Sequence, residues 1–358
     1  MVDTMALLHA FIRTSRVRGK STGDASPVPV RLPGDDEVLL DAPDDVLGPA
    51  LVGAADGDHG PAAELLAATR RAGAWDHRDR YVRGLAAFAR ARPEWLDTWR
   101  ALAPLDPDAT VVDAQRAVDR AWDSPARGEL LREVSPLITA AARADNRDPV
   151  PWRLALDHAR GARAGHTYVE ELWEAAVRRA PHHYGCHVAA LRYLASSWHG
   201  SHRECLDFAD RAAQDAPETS LTRALPLRAA YGYLTDGCGP EVPRERLEDA
   251  ADRAVALSAG LPADQSWPAE LRNLLTYVLV RLERWQDALE QLRLTGPYAT
   301  SFPWDREAED PLGRFLEVRQ GVGALVASGA RGPGSGGSVP FPDRPDRGRG
   351  GRLRFGAH

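Results

Sequence analysis

The chain has 358 residues, enough for a large buried core, and its 44% hydrophobic and 27% charged content is that of a folding polypeptide. A net charge of -6 argues against a surface built to coat nucleic acid. Three cysteines, Cys186, Cys205 and Cys238, make no disulfide framework in a chain of this length and fit a reducing cytoplasm.

The apolar patch Met5 to Ile12 follows Asp3 and precedes Arg13, Arg16, Arg18 and Lys20, the reverse of a secretory signal, and is too short to span a bilayer. Residues 1–60 are rich in Gly, Pro and Asp beyond that patch and predict a flexible N-terminal segment with one hairpin around Pro33-Gly34-Asp35. From Pro61 the apolar spacing becomes helical. Ala62, Leu65, Leu66 and Thr69 share one face, Gly73 marks a stop, and Tyr81, Leu85 and Phe88 line the next helix. Trp95 and Trp99 open a third helix that Pro104 and Pro107 end, because proline lacks the amide donor.

Asp108 is the expected N-cap of a helix to about Trp122, and a helix over 126–144 is expected to kink or break at Pro136. Asp148 caps the next one, with Pro149 in its first turn. Thr167 to Glu170 and Ser201 to Glu204 both read as capping boxes. Thr222 to Leu234 is a helix disturbed by Pro226 and ended by Gly237 and Gly239. Pro243 to Leu257 is amphipathic, and Ser266 caps the apolar helix Leu271 to Leu282. A last helix covers Leu312 to Leu325, with Trp304 expected to pin the preceding loop against it.

Two copies of one helical hairpin stand out. Trp152, Ala155 and Ala159 recur 34 positions later as Cys186, Ala189 and Tyr193, and Val169, Leu172 and Ala176 recur 36 positions later as Cys205, Phe208 and Ala212. Each copy closes on Ala-Pro, at Ala180-Pro181 and Ala216-Pro217. These residues, together with the turn Leu282-Glu-Arg-Trp285-Gln-Asp-Ala288-Leu289, resemble tetratricopeptide repeats over about 60–295. The run from Trp173 through Pro181, Tyr193, Trp198-His-Gly-Ser201 and Phe208-Ala209 resembles an uncharacterised bacterial domain family built on such repeats, as does Leu65 to Trp75-Asp76. The arginine-, alanine- and glycine-rich composition is that of a high-GC bacterial gene.

The chemically dense cluster His182, His183, Cys186, His187, His199, His202 and Cys205 invites a zinc reading, but Cys186 and Cys205 fall on packing positions and the histidines on turns, so no metal is expected. Gly200-Ser201 resembles a fragment of a nucleophile elbow, and Ser201 is better placed as a helix cap. No G-x-x-x-x-G-K-[ST] loop and no G-x-G-x-x-G after a strand is present. The acidic runs Asp35 to Glu37, Asp44-Asp45 and Glu307 to Asp310 read as solvated loop faces.

The expectation is therefore an all-α protein, a right-handed α-solenoid of tetratricopeptide-like antiparallel helix pairs over 61–328, between the flexible segment 1–60 and a disordered Gly/Pro/Arg-rich tail 329–358. Its expected work is that of a cytoplasmic, non-enzymatic protein–protein interaction scaffold, without cofactor, metal or membrane span, whose partner is a protein or peptide. By the resemblance, the concave face formed by the first helix of each pair would present Arg153, Asp157, Arg160, Tyr184 and His187. The alternative is a nucleic-acid-associated protein using the tail, where Arg347-Gly-Arg-Gly-Gly-Arg352 resembles an arginine–glycine segment.

Overall fold

The computed structural model describes residues 32–236, 242–263 and 265–329. The Met5–Ile12 patch and its basic flank, Gly237, Cys238 and Gly239, and the Arg/Gly tail from residue 330 lie outside the described residues. The architecture is all-α, with one two-residue parallel strand pair.

Its helices in chain order are α1 Leu47–Ala55, α2 Gly60–Ala72, α3 Trp75–Ala91, α4 Glu94–Leu102, α5 Pro107–Trp122, α6 Arg127–Ala144, α7 Val150–Gly161 and α8 His166–Arg179. They continue as α9 Tyr184–Tyr193, α10 His202–Asp215, α11 Leu225–Asp236, α12 Arg244–Ala259, α13 Ala269–Arg281, α14 Trp285–Thr295, the single turn α15 Ser301–Trp304, and α16 Pro311–Ala327. Strand β1 is Leu39–Leu40 and β2 is Tyr298–Ala299.

Helix boundaries follow the punctuation of the sequence, with informative exceptions. Gly73 ends α2 in the left-handed region at φ 66°, where an L side chain is strained. Asp106, not Asp108, caps α5: its Oδ1 accepts from the amides of Asp108 at 2.8 Å and Ala109 at 3.0 Å. Pro107 at the first helical position suits that register. It leaves Asp108 free to turn inward. Thr167 lies one residue inside α8, whose N-cap Gly165 offers no side chain, so the first expected capping box does not form. The second half-forms: Ser201 Oγ accepts from the Glu204 amide at 3.2 Å, and Glu204 Oε2 turns to the Ser201 hydroxyl at 3.0 Å. Helix α6 runs on through Pro136. Pro226 sits in the first turn of α11, after a 3-10 turn Leu221–Ala224, and so starts that helix.

The core divides in chain order. One cluster joins α1 to α7 around Leu66, Leu85, Trp95, Trp99 and Val112. A second gathers Leu156, Val169, Leu172, Cys186 and Tyr193. A third runs from Val188 to Val322 and takes in Val38 from the first described segment. Helices α3, α5, α7, α9, α11 and α13 each touch the next in that series, and α3 also touches α7 and α9. Trp304 is fully buried against Phe315 and donates its indole N–H to Asn273 Oδ1 at 2.8 Å, pinning the loop as expected.

The segment 1–60 contains more order than its composition suggests. Leu47, Ala50 and Ala54 of α1 are buried, and α1 packs on α2, α3 and α4. Among the described residues no hairpin pairing is seen at Pro33-Gly34-Asp35, whose first arm before residue 32 lies outside them; Asp35–Glu37 is a 3-10 turn, and Leu39 and Leu40 pair with Tyr298 and Ala299. Asp41 then accepts from the Ser301 amide at 2.8 Å and from its hydroxyl, and Arg319 of α16 pairs with Asp35. The first described residues thus clasp the last helices. A partner so distant in sequence leaves no local pattern to read.

Candidate functional site

The polar face of α3 is turned into the protein, against α5, α7 and α9, and it carries Arg78, Asp79 and Arg83. Arg78 is fully buried. It donates to Asp148 Oδ2 and approaches Asp108 Oδ1, both at 2.7 Å, while Arg70 of α2 grips Asp108 with two 3.2 Å bonds. The N-cap of α7 is Pro149, not Asp148, but the Asp148 carboxylate still accepts from the Val150 amide at 2.9 Å, so one side chain ties the start of α7 to α3.

A second network lies beside it. Arg153 of α7 donates through Nε and Nη2 to Asp79 Oδ1 at 3.0 and 2.7 Å and through Nη2 to Gln115 of α5. Asp79 Oδ2 meets Arg83 at 3.1 Å. Asp157 accepts from Arg160 at 3.3 Å, with Arg153 at 3.7 Å and Arg192 of α9 at 3.9 Å. Arg160 in turn lies over Trp122 and beside Trp198, 4.1 and 5.1 Å from their ring centroids, where the two rings meet edge-to-face. Burial by itself would raise the carboxyls of Asp79 and Asp157. The guanidiniums around them outweigh it and hold both below the usual carboxylate range. Burial, reinforced by Arg228, Arg83 and Arg160 against the single carboxylate of Asp157, brings Arg192 down to about 10.

Where α9 meets α3, the Gly185 backbone comes against the Asp79 carboxylate. A Cβ on Gly185 would collide with Asp79 Oδ2 and stand 3.1 Å from His183 Cε1, so only glycine permits this approach. Asp76 Oδ1 accepts from the Tyr184 amide at 2.9 Å. His183 caps α9, with Nδ1 3.3 Å from the Cys186 amide and 3.0 Å from its Sγ, and its Nε2 lies 3.8 Å from Asp76. A thiol, an imidazole and a carboxylate in sequence have the parts of a nucleophilic triad. Their environment denies them the chemistry: Cys186 and His183 are buried, burial pushes the thiol well up, and burial lowers His183 to about 4. Asp76 is raised to about 6 by the same desolvation.

Two concavities are built on this frame. An inner cleft of about 100 Å³ opens between α3, α9, α11 and α13, with Arg83, Tyr184, Arg228 and Trp267 in its walls. Trp267 closes it toward α3, edge-on to His77 at 5.8 Å and 5.4 Å from the Arg80 guanidinium. An outer groove of about 510 Å³ runs between α6 and α8 across α7, with Thr139, Arg143, Trp152, Tyr168 and Arg179 along it. Tyr168 is 50% exposed there, and Arg179 stacks 4.1 Å from the Trp152 ring. The Trp152 indole N–H has no partner among the described residues.

The residues expected on a concave partner surface fall into three settings. Arg153 and Asp157 are buried in the ionic network, and Arg160 is part-buried against its two tryptophans. Tyr184 lines the inner cleft. His187 is buried against α8 and α10, edge-on to Trp173 at 4.9 Å and 6.1 Å from the Phe208 ring, with its Nδ1 2.9 Å from the His183 carbonyl oxygen. Sequence reading missed Asp79, Arg83, Arg228 and Glu270, which join this region from helices far along the chain; the one usable signal was their charge on otherwise apolar helix faces. Among the described residues no three His, Cys, Asp or Glu side chains converge as metal ligands would. Cys205 packs under α9, its thiol 3.6 Å from the Leu191 carbonyl oxygen and pushed up to about 12 by burial.

No family model, curated protein or solved structure matches the chain. No helix among the described residues is long and apolar enough to cross a membrane.

Proposed function

We propose that the chain is a non-enzymatic protein–protein interaction scaffold, a right-handed array of tetratricopeptide-like antiparallel helix pairs acting in the cytoplasm. The chain-ordered core clusters and the succession of contacts along α3, α5, α7, α9, α11 and α13 support the array. Arg153 and Asp157 are spent on holding α3 in the concave side, which moves recognition to the outer groove.

The observation that carries the reading is the composition of that groove. Tryptophan, tyrosine and arginine are the anchors enriched at protein interfaces, and here Trp152, Tyr168, Arg143 and Arg179 line one depression beside hydroxyls that can complete a polar rim. The unpartnered Trp152 N–H calls for an acceptor, and the two arginines favour an acidic one.

A photo-crosslinking residue at position 168 tests this, with position 105 as a control because Leu105 is 92% exposed and far from the groove lining. The expected outcome is one recurrent protein crosslinked from 168, absent from 105 and lost on Arg143→Glu. Equal capture from both positions sinks the proposal.

A further inference from the structure

The inner cleft has a mixed lining. Val188, Leu221, Leu271 and Leu274 give its lining apolar surface, and Arg83 and Arg228 bring guanidiniums to the same lining. Arg228 is the telling residue. Its side chain is only 9% exposed, its Nη1 has no partner among the described residues, and one edge is covered by Phe302 at 4.5 Å. The carboxylate that answers it, Glu270 at 3.1 Å, is itself 52% exposed.

This pairing is lopsided. A desolvated guanidinium requires a counter-charge, and a carboxylate half in water is the partner more readily replaced, because it regains its hydration on leaving. Glu270 also lies in the first turn of α13, where its charge remains favoured after it swings out. Glu270 therefore occupies the position that an incoming carboxylate would take.

We infer that the inner cleft binds a short aliphatic monocarboxylate, whose carboxylate displaces Glu270 from Arg228 while its hydrocarbon part lies on the apolar surface. The cleft's volume of about 100 Å³ is that of a small-molecule site and leaves no room for a long chain. Asp76 and Asp79 in the same lining disfavour a dianion such as phosphate. This inference is independent of the outer groove, so either can fail alone.

The test is calorimetric titration of the full chain with sodium butanoate, using butanamide as the uncharged isostere and inorganic phosphate as the dianion. Butanoate binds, and the two controls do not. Glu270→Ala, at an exposed position, tightens butanoate binding by about threefold because the internal competitor is gone. Arg228→Met weakens it by about tenfold or more, the effect of losing a charged hydrogen bond. Arg228→Lys, with an unchanged melting temperature as the folding check, falls between. Absence of butanoate binding to both the parent and Glu270→Ala overturns the inference. So does equal binding of butanamide or phosphate, or weaker binding to Glu270→Ala.

Discussion

Asp76 and His183, 3.8 Å apart where α3 meets α9, carry opposite pH signatures. The Asp76 pKa is raised to about 6, so its contribution is present below the unfolded carboxylate value and is lost as pH rises through 6. The His183 pKa is lowered to about 4, so its contribution is present above the unfolded imidazole value and is lost as pH falls toward 4. Across pH 4 to 6 the two slopes oppose each other. Asp76→Asn keeps an acceptor for the Tyr184 amide and removes one slope. Its stability then falls as pH drops from 6.5 to 4, by about 1 kcal/mol more than the parent loses, with the Asp76 part discounted for its 36% side-chain exposure. Urea unfolding at pH 4.5 and 6.5 measures this, and parallel pH profiles for parent and variant would refute it. Arg153 tests the same region by charge. Arg153→Met leaves Asp79 buried with one guanidinium fewer, a loss of about 3 kcal/mol in chemical denaturation. Adding Asp79→Leu to Arg153→Met recovers part of that loss; a double variant as unstable as the sum of the two singles would deny the coupling.

At the scale of the element, the junction of α3 with α9 depends on a missing side chain. Gly185→Ala pushes α9 off Asp79 and costs about 1–3 kcal/mol, the usual range for overpacking, whereas alanine would otherwise favour a helix. A melting temperature at or above the parent's would show that α9 stands farther from α3 than described. Individual helices were readable in the sequence because periodicity, Gly73, Pro104 and Ser201 act within a few residues of the boundaries they set. Asp106 took the cap expected of Asp108 because two aspartates flank Pro107 and only burial, a tertiary property, separates their roles. The site was less readable for a related reason. Arg153 and Asp157 were expected on a partner surface by resemblance to the repeats, but they are buried and their partners Asp79, Gln115 and Arg192 lie on α3, α5 and α9. Helical spacing identifies a face; it does not say whether solvent or another helix lies opposite.

At the scale of the whole molecule, the pairing of Leu39 and Leu40 with Tyr298 and Ala299, with Asp41 on Ser301 and Arg319 on Asp35, joins the first described segment to the last. Asp41→Ala combined with Arg319→Ala should speed amide hydrogen exchange in α16 by about tenfold and leave α6 to α8 unchanged. Exchange that rises evenly along the chain would contradict a local clasp. In a linear stack the terminal units fray first, because each is supported from one side only. Here the first and last described segments hold each other, so in an array of the kind proposed above neither would be a preferred starting point for fraying. Cyclic permutation provides the physical counterpart: with residues 329 and 32 linked and new ends opened at Arg163, the loop residue at φ 54° between α7 and α8, the permuted chain should unravel from the middle of the natural order outward.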